Sequence, residues 1–147
     1  MYKRVMWATD GSEAADRALA HAKELAADGG GSVTTVYCEE FTLPSKAGGS
    51  FPIHADESKV QDKIRRQVAE LSSSGTTATL EMTRSRVGGA AHAIADVAAQ
   101  EHSDLIVVGT RGRTALAGLL LGGVTQRLLH IAPCPVLAVP PERNPEG

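Results

Sequence analysis

The chain has 147 residues, enough for one domain that buries about two-thirds of the surface its unfolded form exposes. Hydrophobic and charged fractions of 42% and 22% are those of a globular protein. A net charge of −2 and an aromatic content of 3% supply neither the basic footprint nor the stacking platforms of nucleic-acid binding, and nothing that would hold an anionic membrane.

No apolar run approaches the roughly 20 residues that span a bilayer. The opening MYKRVMWATDG lacks the apolar stretch and cleavage site of a signal peptide. Cys38 and Cys134 lie far apart with no metal-ligand spacing, which favours a reduced compartment. The expectation is a cytoplasmic protein.

Tyr2 to Ala8 reads as a short buried strand, its apolar residues grouped rather than alternating. Thr9-Asp10-Gly11-Ser12 is turn chemistry leading to a helix cap. Ala14, Ala15, Ala18, Leu19, Ala22, Leu25 and Ala26 then recur at helical spacing, and the helix stops at Gly29–Gly31, where glycine supplies a positive φ. Ser32 to Cys38, rich in β-branched residues, predicts the second strand. Glu39 to Asp56 is irregular, punctuated by Pro44, Gly48, Gly49 and Pro52, and a loop of that length is a functional lid or a disordered excursion.

Glu57 to Leu71 predicts a helix on Val60, Ile64, Val68 and Leu71. Thr77 to Thr83 predicts a third strand with Ala78, Leu80 and Met82 on one face. An alanine-rich helix over Ala90 to Glu101 follows, then a fourth strand at Leu105–Val108, a helix at Val124–Ile131 and a fifth strand at Val136–Val139. Strands alternating with helices predict an α/β fold: one domain over residues 1–147, a mostly parallel five-stranded sheet and helices on both faces. Ligands of such sheets sit beyond the C-terminal strand ends where strand order reverses, which singles out the turns at Asp10 and Gly109.

The Gly109 loop is the stronger site. Backbone N–H groups at a helix N-terminus, approached through a glycine-rich loop, form a place for a phosphate. Gly112 and Gly122 would let the backbone close on the ligand, and Arg111 and Arg113 add positive charge. The alternative is that these glycines only shape a tight turn. Asp10 is either a cap or turn aspartate, or a carboxylate that accepts from a ribose hydroxyl or holds Mg²⁺ beside phosphates. Neither G-x-x-x-x-G-K-[ST] nor G-x-G-x-x-G is present, and neither is a serine-hydrolase elbow or an H-E-x-x-H motif. His21, His54, His92, His102 and His130 show no ligand spacing and read as solvated, while Cys134, between two prolines, reads as a buried structural thiol. No general base stands near the phosphate turn, so binding is better supported than catalysis.

With these motifs on the page, the chain resembles the universal stress protein family along essentially its whole length. Thr9-Asp10-Gly11-Ser12 after the opening strand looks like the family's first motif, Asp104-Leu105-Ile106-Val107-Val108-Gly109 like its fourth strand, and Ala132-Pro133-Cys134-Pro135-Val136-Leu137 like its C-terminal signature. The ATP-binding subgroup carries G-x-x-G, nine residues, then G-[ST]. Gly109 and Gly112 match the first pair, Arg113 to Leu121 the spacer and Gly122 the third glycine. Gly123 departs from the pattern, standing where a serine or threonine hydroxyl is usual, and Thr125 offers a hydroxyl two residues on.

The resemblance implies an adenine nucleotide alpha hydrolase-like sheet of order 3-2-1-4-5. It implies ATP with Mg²⁺ as ligand, Ala8, Cys38 and Val108 lining the adenine pocket, and Asp10 at the ribose or the metal. Thr110, Gly112, Gly122, Gly123, Val124 and Thr125 would cradle ribose and phosphates, and Thr9, Gly109, Arg111 and Arg113 belong to the same nucleotide-binding set. It also implies a homodimer through the last strand, Val136 to Val139, a short apolar edge suited to such pairing. The function expected is an ATP-binding stress-response or signalling module with slow or no hydrolysis. A nucleotide-independent dimeric interaction protein is the alternative within the family, and a substrate-adenylating enzyme a more distant one.

Overall fold

The computed structural model describes residues 1–42, 51–52, 57–111 and 122–142. Strand β1 (Arg4–Thr9) leads to helix α1 (Glu13–Gly29), β2 (Ser32–Thr42), the two-residue β3 (Phe51–Pro52), α2 (Glu57–Ser73) and β4 (Thr77–Arg86). Then come α3 (Ala90–Gln100), β5 (Leu105–Gly109), α4 (Gly123–Ile131) and β6 (Val136–Val139). The five longer strands lie parallel in the order β4-β2-β1-β5-β6, the expected 3-2-1-4-5 arrangement. β3 adds a short antiparallel pairing, Phe41 with Pro52 and Thr42 with Phe51, inside the stretch that reads as irregular.

Helices cover both faces. On one, Val5, Trp7, Val33 and Val107 pack with the alanine stripe of α1 and with Leu71 of α2. On the other, Met6, Val36, Ile106 and Val108 pack with Ala91, Ile94 and Ala98 of α3 and Leu128 of α4. Ala18, Ala22 and Ala26 are fully buried, so α1 rides close to the sheet without large side chains between. Trp7, also fully buried, fills the space beside that stripe and donates its indole N–H to the Ala15 carbonyl at 2.8 Å.

The N-terminal end of the sheet is closed by backbone. Asp104 accepts from the Lys3 and Arg4 amides at 2.8 and 3.0 Å, while its own N–H donates to the Arg4 carbonyl. Helix α1 stops at Gly30, with φ of 64°, as the glycine run predicts. Beside it the chain passes so near β1 that a Cβ at Gly31 would lie 2.3 Å from the Lys3 carbonyl oxygen. Opposite, α2 is pinned to β2 where the buried Tyr37 hydroxyl donates to Glu57, the first residue of α2. An acidic group there also suits the positive end of the helix.

Two strands run longer than their propensity suggests. β2 continues past Cys38 to Thr42, and β4 past Thr83 to Arg86, because each supplies the other's ladder as far as the Phe41–Arg86 pair. The Ala78–Leu80–Met82 alternation fades at Met82, which is exposed at this sheet edge. Among the described residues no helix is long and apolar enough to cross a membrane.

Candidate functional site

The turn after β1 is built from side-chain acceptors in series. Thr9 Oγ1 accepts the Gly11 amide at 3.1 Å, Asp10 Oδ1 the Ser12 amide at 2.9 Å, and Ser12 Oγ the Ala15 amide at 3.3 Å. Ser12 is thus the N-cap of α1, as expected, and Asp10 shapes the turn that precedes it. Gly11 sits at φ of 82°, a conformation that favours glycine, and a Cβ there would meet Val60 Cγ1 at 2.7 Å. From α2, Lys63 Nζ donates to the Gly11 carbonyl at 3.0 Å and to Asp16 at 2.7 Å, which ties the turn to both helices.

The turn after β5 lies alongside. Gly109 faces the first turn of α1, where a Cβ would come within 2.8 Å of the Ala14 Cβ. The Thr110 N–H donates to the Val139 carbonyl and the Thr110 carbonyl accepts from the Gly122 N–H, at 2.9 and 2.6 Å. This backbone bridge places Gly122 as the N-cap of α4, with no side-chain cap. The first-turn amides of Gly123, Val124 and Thr125 have no partner within their own helix, and the dipole adds partial positive charge at that end. Thr125 is buried, and its hydroxyl donates to the Gly109 carbonyl at 2.7 Å. A hydroxyl has one proton to give, so Thr125 does not replace the donor that Gly123 lacks.

Between these turns lies a cavity of about 160 Å³ at the C-terminal ends of β2, β1 and β5, where the strand order reverses. Pockets that swallow a drug-sized ligand run to about 300–1,000 Å³. This one has room for a ring system, with any longer ligand continuing into its open mouth. Of the sequence-predicted residues, Ala8, Thr9, Asp10, Cys38, Val108 and Gly109 line it. So do Arg111, Gly122, Gly123, Val124 and Thr125. Thr110 lies outside the lining, in the backbone bridge just described, and Gly112 and Arg113 fall outside the described residues.

Sequence reasoning missed Ala15, Glu40, Ala90 and Ile94, which also line it. Ala90 and Ile94 stand one helical turn apart on the α3 stripe, a signal indistinguishable from core packing. Glu40 is two residues beyond Cys38 on the same face of β2, a signal legible once the strand is known to continue.

Cys38 donates its thiol to Ser85 Oγ at 3.3 Å. Burial pushes the thiol pKa up, the Ser85 bond opposes that, and Glu40 and Glu39 add to the rise. At neutral pH it is a packing thiol rather than a nucleophile. Cys134 is half-buried, with its pKa raised by burial and by Asp104. His21, His92, His102 and His130 are exposed, as expected of solvated positions, and His54 lies outside the described residues. No group of three or more His, Cys, Asp or Glu side chains suited to a metal occurs among the described residues. Asp10 alone could contribute to a cation held mainly by phosphate and water, which is how Mg²⁺ is commonly bound.

A one-domain α/β sheet with its cavity at the strand-order reversal and a bare helix N-terminus at the rim defines a class of small-ligand-binding folds. Residues 1–140 match the universal stress protein family, and the chain belongs to it. It is 36% identical to a universal stress protein of Thermus aquaticus over 141 residues, covering 95% of this chain and 99% of that one. Among solved structures, the universal stress protein UspA from Lactobacillus plantarum has a TM-score of 0.77 at 21% identity, covering 94% of this chain and 97% of that one. A universal stress protein in complex with cAMP has a TM-score of 0.69 at 22% identity, covering 96% and 98%. One from Archaeoglobus fulgidus in complex with dAMP has a TM-score of 0.64 at 24% identity, covering 95% and 98%.

Proposed function

We propose that the cavity binds an adenine nucleotide, ATP with Mg²⁺, and that the protein is a cytoplasmic stress-response or signalling module with slow or no hydrolysis. The observation that carries this reading is the uncapped α4 N-terminus facing the Asp10 turn across a ring-sized cavity. The amides of Gly123, Val124 and Thr125 would hold phosphate oxygens, with Arg111 beside them. Ala8, Cys38 and Val108 would flank the base, and Asp10 the ribose or the Mg²⁺. Relatives of the same fold solved with cAMP and with dAMP support an adenine nucleotide as the ligand class.

Protein denatured after purification should release an adenine nucleotide, and calorimetric titration of emptied protein with Mg²⁺-ATP should show binding. The absence of both released nucleotide and binding heat at millimolar ATP would sink the reading. Asp10→Asn keeps an oxygen for the Ser12 amide while removing the charge. It should weaken Mg²⁺-ATP binding about tenfold, the scale of a hydrogen bond to a charged group. Affinity equal to that of the native protein would remove Asp10 from the site.

β6 is an edge strand whose Val136, Leu137 and Ala138 are half-buried, and a homodimer formed by pairing two copies of Val136 to Val139 accompanies the proposal. A nucleotide-independent interaction protein is the second reading. It is favoured by one observation: Gly123 lacks the usual hydroxyl and Thr125 has spent its proton on Gly109.

A further inference from the structure

The cavity has chemically different ends. β2, β1 and β5 are successive neighbours in the sheet, so a ligand lying across their tips meets first Cys38 and Glu40, then Asp10, then Gly109 and Arg111. The α4 amides and Arg111 mark the β5 end for an anion. The β2 end, walled by Ala90 and Ile94 of α3, is the apolar one and suits a planar base.

One charged side chain stands at that end. Glu40 Oε2 accepts the Gly88 amide at 3.3 Å, just ahead of α3, which holds the carboxylate against the cavity wall. Its strand neighbours Glu39 and Phe41 point to the other face, where they engage Arg84 at 3.5 Å and, ring to guanidinium, 4.7 Å. That cation is therefore occupied away from the cavity. Among the described residues Glu40 Oε1 takes no hydrogen bond. An ionised carboxylate can only accept, so it favours a base edge that donates and repels one that presents a carbonyl.

We propose that Glu40 is the specificity-determining residue for the base, selecting a 6-amino purine over a 6-oxo purine by accepting from the exocyclic amine. The proposal rests on the reading of the cavity as a nucleotide site. Titrating native protein with ATP and with ITP should give a preference for ATP of about tenfold, as expected when a half-exposed charged acceptor gains or loses a donor. Glu40→Gln retains an oxygen for the Gly88 amide and can offer its NH₂ to a carbonyl, so the preference should fall to about threefold or less. Circular dichroism would establish that the variant is folded, and Glu40→Ala should narrow the preference in the same direction. ATP binding with an unchanged ATP-to-ITP ratio in both variants would overturn the proposal alone. A change confined to the ATP-to-dATP ratio would overturn it as well, by placing Glu40 at the sugar. Failure of native protein to bind either nucleotide would overturn the nucleotide reading and this proposal together.

Discussion

Trp7→Ala should lower the unfolding free energy by about 3–5 kcal/mol, the range for deleting a buried aromatic, and for a domain of this size that is a large part of the total. The indole is fully buried between the sheet and the alanine stripe of α1, whose short side chains lie against it. Its N–H also fixes the first turn of α1 through Ala15, the turn that packs on Gly109 at the cavity. Trp7→Phe, which keeps most of the ring area but loses the hydrogen bond, should cost about 1–2 kcal/mol. Trp7 is the chain's only tryptophan, so urea denaturation has to be followed by far-ultraviolet circular dichroism rather than by its fluorescence. A loss below 1 kcal/mol in the alanine variant would mean that α1 collapses onto the sheet and reseals the gap.

Gly123→Ser should tighten ATP binding severalfold, up to about tenfold if the new hydroxyl donates to a phosphate oxygen. A Cβ at Gly123 would meet nothing within 4 Å and the residue is not at positive φ, so serine enters without strain. The Thr125 proton is held by the Gly109 carbonyl, so the gain is not already supplied from within the helix. Gly123→Ala separates the effects: it shares the modest stabilisation of α4 that follows from replacing glycine, without the hydroxyl. Calorimetric titration of both variants is the measurement. Equal affinities for the serine and alanine forms would show that position 123 does not face phosphate.

Much of the architecture was legible in the residues because buried parallel strands and amphipathic helices leave strong periodic signals. Grouped apolar runs located β1 and β5, the alanine spacing located α1, and the alternation of elements pointed to the Asp10 and Gly109 turns, while the strand order that makes those turns neighbours came from the family resemblance. Less visible were features that depend on a partner strand. Glu39-Glu40-Phe41 is poor strand sequence by its charge, yet it is strand because β4 pairs with it in register. That hid Glu40 from the cavity wall. Ala90 and Ile94 were legible as an apolar face but not as cavity lining, since the difference lies only in how far α3 extends beyond the strand tips. Thr125 lines the cavity, but the direction of its hydroxyl was not legible: whether it faces ligand or backbone depends on where its rotamer finds an acceptor, and here it donates to the Gly109 carbonyl.

The closed N-terminal end of the sheet has a consequence for how this fold can vary. Asp104 and the close passage at Gly31 tie the chain together at one end of β1, and the cavity opens at the other, a strand length of about 20 Å away. Effects of substitutions at that separation, with no shared partners, are normally additive. Robustness of the scaffold and choice of ligand are therefore nearly independent variables in this molecule. Divergence at the strand tips can retune what is recognised while the opposite end keeps the domain folded.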